Sequence, residues 1–130
     1  MDLQLTAAQV NGRILLVEDD PDLMRLFYDA LITGGYKVDG FTEPMKAYSQ
    51  FKNNADQYDL IITDVRMPQM SGIELIKNIN KVNKEVKVLL MSAFEMERGN
   101  LKELELEEFL QKPLHLEQLL NTVKKYVHEK

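Results

Sequence analysis

Short, wholly apolar runs alternate along this chain with longer segments in which apolar residues recur every three or four positions. The run Ile14-Leu15-Leu16-Val17, behind Arg13, has no polar alternate, the pattern of a strand buried on both faces of a parallel sheet. It stops at Glu18-Asp19-Asp20. Pro21 suits a first helical turn with Asp20 as N-cap, and Leu23, Phe27, Ala30 and Leu31 follow at helical spacing until Gly34-Gly35. Tyr36 to Phe41 alternates and contains Gly40, which predicts a weak edge strand, and Glu43 to Ala55 predicts a polar-faced helix.

The second strong strand is Asp59 to Asp64, followed by a Pro- and Gly-punctuated loop, Arg66-Met67-Pro68-Gln69-Met70-Ser71-Gly72. Ser71 is positioned to cap the next helix, whose residues Ile73, Ile76, Ile79 and Val82 are spaced by threes as a core stripe. Val86 to Met91 is a third strong strand ending at Ser92. Glu95 to Glu108 is helix-forming but irregular, Glu108 to Gln111 is a short strand before Lys112-Pro113, and Leu116, Leu119, Leu120, Val123 and Val127 mark a last helix. Five strands alternating with five helices require right-handed crossovers around a parallel sheet, hence a three-layer αβα sandwich.

The chain of 130 residues suits one domain, taken as residues 13–130 behind an extension over 1–12. A net charge of −5 argues against the basic stripe that direct nucleic-acid contact requires. With no Cys, thiolate metal sites and Cys nucleophiles are excluded. No apolar run reaches membrane-spanning length, so no membrane partner and a cytoplasmic setting are expected.

Polar residues punctuate the carboxyl ends of four predicted strands: Glu18 and Asp19, then Asp64, Ser92 and Lys112. In an open α/β sheet that edge is where ligands bind. Carboxylates gathered there repel one another and lose hydration, so they take up protons or recruit a cation. An all-oxygen donor set with no nearby His or Cys favours a hard ion, best Mg²⁺, with Mn²⁺ as a substitute. Lys112 adds a cation and Ser92 a hydroxyl donor, a set suited to phosphoryl transfer with Asp64 as nucleophile.

Val17-Glu18-Asp19-Asp20, Asp64-Val65-Arg66-Met67-Pro68 with Gly72, Met91-Ser92-Ala93 and Lys112-Pro113, in that order, resemble the signature motifs of response-regulator receiver domains. The resemblance spans roughly Arg13 to Tyr126. It implies a flavodoxin-like, CheY-like sheet of strand order 2-1-3-4-5. It also implies that Asp19 and Asp64 bind Mg²⁺ directly, Glu18 mainly through water, and the backbone carbonyl of Arg66 completes the protein ligands. Asp64 would accept a phosphoryl group from a sensor histidine kinase or a histidine phosphotransfer protein, Lys112 would pair with the product, and Ser92 would move to bond it. Phe109, three residues before Lys112, would swing inward behind that hydroxyl, and Pro113 would follow a cis peptide. The implied role is a phosphorylation-controlled signalling domain that acts on a downstream effector protein or output domain, as a monomer or a phosphorylation-dependent dimer. It is not an enzyme beyond its own phosphorylation and dephosphorylation.

Blander readings compete residue by residue. Asp20, third in the acidic run, is read as the N-cap; His115 and His128, assigned to the last helix, are read as solvated; Met24, Met67, Met70 and Met91 are read as packing residues. The acidic stretch with Glu103, Glu105, Glu107 and Glu108 is read as solvated surface, in a region where relatives often carry small residues. Arg66 and Phe94, each two residues beyond a site residue, stand at positions that in receiver domains flank the path of hydrolytic water, so the resemblance implies a shield that slows loss of an acyl phosphate. Two other functions remain open: a receiver-like scaffold that is never phosphorylated, and a Mg²⁺-dependent phosphohydrolase with an aspartyl-phosphate intermediate. The hydrolase lacks a second acid two residues after Asp64, where Arg66 stands. A chain that stops with its last helix is read as a stand-alone regulator or as one domain of a longer protein.

Overall fold

The structure, a computed structural model, describes residues 12–93, 104 and 106–127. Five strands form one parallel sheet in the order β2-β1-β3-β4-β5: β1 (Arg13–Val17), β2 (Lys37–Phe41), β3 (Leu60–Asp64), β4 (Lys87–Ser92) and β5 (Glu108–Gln111). Four α-helices accompany it among the described residues: α1 (Pro21–Thr33), α2 (Pro44–Asn53), α3 (Gly72–Val82) and α4 (Leu116–Tyr126). The helix expected over Glu95 to Glu108 falls mostly outside the described residues, as do Phe94, Glu103, Glu105 and His128.

Successive strand residues point to opposite faces, which divides the core in two. Ile14, Leu16, Ile62 and Met91 pack with Phe27 and Leu31 of α1 and Leu119 and Val123 of α4. Leu15, Val17, Ile61 and Leu90 pack on the other face with Phe51 of α2 and Leu75, Ile76 and Ile79 of α3. The central strands have no exposed apolar residue because helices cover both faces. Burying each such Leu or Ile stabilises the fold by about 1.5–3 kcal/mol before entropy is counted.

The helix signals act as expected at two N-termini. Asp20 Oδ1 accepts the backbone N–H groups of Asp22 (2.9 Å) and Leu23 (3.2 Å), and Ser71 Oγ accepts that of Glu74 (3.1 Å). Other expectations need correction. The buried stripe of α3 is Gly72, Leu75, Ile76 and Ile79, with Ile73 half-buried and Val82 exposed, because two faces of threes and fours compete and only tertiary packing selects one. The segment Glu43 to Ala55 is helical only over Pro44–Asn53 and then makes a 3₁₀ turn at Ala55–Gln57. His115 is the N-cap of α4 and so precedes the helix. Glu107 is no solvated acid: its Oε1 accepts the N–H of Val88 at 2.8 Å, while Glu107 N–H donates to Val88 O at 2.9 Å, and Glu108 pairs with Lys125.

A polar cluster that the sequence did not announce closes the amino-terminal edge of the sheet. Asp39 Oδ2 accepts from Arg13 Nε (2.9 Å), Arg13 Nη2 (2.7 Å) and the Tyr58 hydroxyl (2.6 Å), while the Arg13 guanidinium lies 5.0 Å from the centre of the Tyr58 ring. Burial, reinforced by Asp39, pushes the Tyr58 hydroxyl up to about 12. A raised acid favours the protonated form in the folded chain, so this stabilisation is complete below the ordinary tyrosine value and lost as pH rises through about 12. Tyr58→Phe is expected to lower stability at neutral pH by about 1–2 kcal/mol and to remove the late phase of an alkaline tyrosinate absorbance titration. An unchanged late phase would show that another tyrosine carries it.

Candidate functional site

The order of strands reverses between β1 and β3, so their carboxyl ends flank a crevice that α1 leaves on one side and α3 on the other. Glu18 and Asp19 directly follow β1, Asp64 ends β3, Ser92 ends β4, and Lys112 directly follows β5. Carboxylate oxygens of Glu18, Asp19 and Asp64 lie within 4.8 Å of one another, close enough to share one ion. These are hard oxygen donors with no soft ligand among them, and the set fits a hard divalent cation.

Lys112 reaches the same carboxylates from the end of β5. Its Nζ lies 3.1 Å from Asp64 Oδ2 and also contacts Glu18 Oε1 directly. Glu18 is fully buried, and that burial raises its pKa against the lowering influence of Lys112 and of the Asp20 N–H at 3.1 Å. Burial alone would lower Lys112, but its hydrogen bonds to Glu18 and Asp64 and their charges outweigh it, so the ammonium is held above its ordinary value. One cation thus compensates two acids in a largely buried site, where unpaired charge is costly.

Asp64 is 8% exposed, enough for an incoming group to reach it. Its Oδ1 accepts the Val65 N–H at 2.9 Å, and that N–H is shared with Met91 O at 2.9 Å. Ser92 is almost fully buried, and its carbonyl accepts the Lys112 N–H at 2.7 Å, so the hydroxyl-bearing strand end and the lysine are tied together. The Lys112-Pro113 peptide is cis. Phe109 is half-buried in β5 beside Leu90, and Arg66 is exposed just past Asp64. Asp20 serves as helix cap and lies outside the acidic cluster.

Gly72 matters more than its place in a loop motif suggested. A Cβ there would lie 2.0 Å from Asp64 O and 3.1 Å from Val65 Cα, and its N–H donates to Val65 O at 2.7 Å. The backbone of α3 therefore rests directly on the peptide that carries Asp64. Gly72→Ala is expected to cost about 2–3 kcal/mol by forcing those backbones apart. A urea midpoint unchanged from the wild type would refute this close approach.

The model of the response regulator receiver domain matches residues 14–124. Response regulator receiver protein CpdR of Brucella abortus is 33% identical over 115 residues, which cover 87% of this chain and 94% of that protein. Two-component response regulator ARR2 of Arabidopsis thaliana is 30% identical over 122 residues, 92% of this chain but only 18% of that longer protein. Among solved structures, the response regulator protein TrrA of Thermotoga maritima, in complex with Mg²⁺ and BeF, superposes with a TM-score of 0.79 at 32% identity, covering 89% of this chain and 99% of that one.

Proposed function

This chain belongs to the response regulator receiver family, a family of signalling domains, and on that premise we propose that Asp64 is the carboxylate that takes up a phosphoryl group. The observation that carries this reading is the meeting of the Glu18, Asp19 and Asp64 carboxylates within 4.8 Å, with Lys112 Nζ 3.1 Å from Asp64 Oδ2. The donor is a phosphohistidine of a sensor histidine kinase or of a histidine phosphotransfer protein, in the cytoplasm. A carboxylate oxygen of Asp64 forms the new O–P bond as the P–N bond breaks, and the electron pair leaves with the imidazole.

Glu18, Asp19, Asp64 and the backbone carbonyl of Arg66 would hold Mg²⁺, the ion present in the TrrA complex. When bound, it supplies neutralisation of charge on the phosphoryl oxygens. Lys112 releases Asp64 Oδ2 to pair with the same oxygens, and the Ser92 hydroxyl donates to one of them. Movement of Ser92 draws in Phe109, which alters the face offered to an effector. In this reading the chain is a switch and not an enzyme acting on outside substrates. Arg66, exposed two residues past Asp64, shields the acyl phosphate from water.

Incubation with acetyl phosphate and Mg²⁺, followed by intact-mass measurement, is expected to show one added phosphoryl group, and chelation of the metal is expected to abolish it. Persistence of the unmodified mass with Mg²⁺ present would overturn the proposal.

A further inference from the structure

Thr63 is fully buried at the position before Asp64, on the sheet face otherwise filled by Val17, Ile61 and Leu90. A valine of the same shape would fit that apolar surface, whereas a hydroxyl there requires a partner. The partner is specific: Thr63 Oγ1 donates to Asp64 O at 3.0 Å. The same peptide unit donates its other end, the Val65 N–H, to Asp64 Oδ1 and to Met91 O, both at 2.9 Å.

We propose that Thr63 is a positioning residue for phosphorylation: its buried hydroxyl clamps the Asp64-Val65 peptide, which in turn fixes the Asp64 carboxylate. The clamp works by orientation and polarisation. A hydrogen bond to the carbonyl strengthens the N–H of the same peptide as a donor, so that Oδ1 is held on Val65 while Oδ2 faces Lys112 at 3.1 Å. Without the hydroxyl the peptide can tilt and the carboxylate can rotate out of line for attack, an effect on the reacting geometry and not on the core. Gly72 confines the peptide from the α3 side, and Thr63 supplies the polar half of the restraint.

The inference rests on Asp64 being the phosphoacceptor, and the experiment separates the two. Wild type, Thr63→Val and Thr63→Ser are compared for the rate of adduct formation with acetyl phosphate and Mg²⁺, for melting temperature, and for exchange of the Val65 amide by NMR. Thr63→Val is expected to form the adduct about fivefold more slowly, which corresponds to about 1 kcal/mol of barrier. It should also exchange the Val65 amide faster while melting close to wild type. Thr63→Ser, which keeps the hydroxyl and loses the methyl, is expected to restore the rate even where it melts lower. Equal rates in wild type and Thr63→Val overturn the positioning role, as do an unchanged Val65 amide or a Thr63→Ser variant as slow as Thr63→Val. Absence of adduct in all three, wild type included, overturns the phosphoacceptor reading and this inference together.

Discussion

Asp64→Asn is expected to take up no phosphoryl group from acetyl phosphate and Mg²⁺ in the time the wild type reaches completion, a rate loss of at least ~100-fold. The carboxamide oxygen can still accept the Val65 N–H that Asp64 accepts at 2.9 Å, so the local hydrogen bonding survives. What it lacks is the anionic oxygen now facing Lys112 at 3.1 Å. The substitution also removes one of three carboxylates gathered within 4.8 Å, so mutual repulsion falls and the folded chain should melt no lower than wild type. The same loss weakens the cation seat, and Mg²⁺ affinity by calorimetry should fall by about tenfold or more. Labelling of Asp64→Asn equal to that of wild type would move the phosphoacceptor elsewhere.

Lys112→Ala is expected to destabilise the chain by about 3–5 kcal/mol, because it strands a buried carboxylate without its cation. Glu18 is fully buried, contacts Lys112 directly, and already has a raised pKa from that burial. Without Lys112 its folded pKa rises further. A group raised in the folded state contributes stability that is fully present below its unfolded value and lost as pH rises through its folded value. The deficit of the variant in urea unfolding is therefore expected to be smallest at acid pH, below the ordinary glutamate value, and to widen as pH rises through the raised folded value of Glu18, where an ionised Glu18 must be buried unpaired. Mg²⁺ should raise the melting temperature of the variant more than that of wild type, since the ion no longer competes with an ammonium for the same oxygens. A deficit that is flat or shrinks with rising pH would show that Lys112 matters only through packing of its stem.

The strands and their order of appearance were legible in the sequence for a simple reason. A strand covered on both faces must be apolar at every position, and Ile14 to Val17, Leu60 to Ile62 and Val88 to Met91 have few alternatives to that fate. The functional candidates were legible because charged or polar residues abruptly end those runs, and the topology brings such ends together. Asp20 and Ser71 could be assigned as caps because capping is local, decided by a side chain and the next few amides.

Other features depended on contacts between segments apart in sequence, which no local pattern encodes. The buried face of α3 runs through Leu75 and not through Ile73 and Val82, a choice made by what α2 and the sheet present to it. The Arg13, Asp39 and Tyr58 cluster joins three segments that no local pattern links, and Glu107 completes a strand edge that its acidic neighbourhood hid. Asp64, Glu18 and Lys112 were each visible as candidates, but the chain order could say only that they share an edge of the sheet. That one ammonium serves two acids, and that Gly72 of α3 closes on the peptide bearing Asp64, was decided by tertiary packing, whereas the Thr63 bond to Asp64 O joins neighbouring residues. Residue type and spacing set which chemistry is possible. Distances of about 3 Å between groups dozens of residues apart set which of it the protein performs, because hydrogen bonds and ion pairs in a buried site act only at contact.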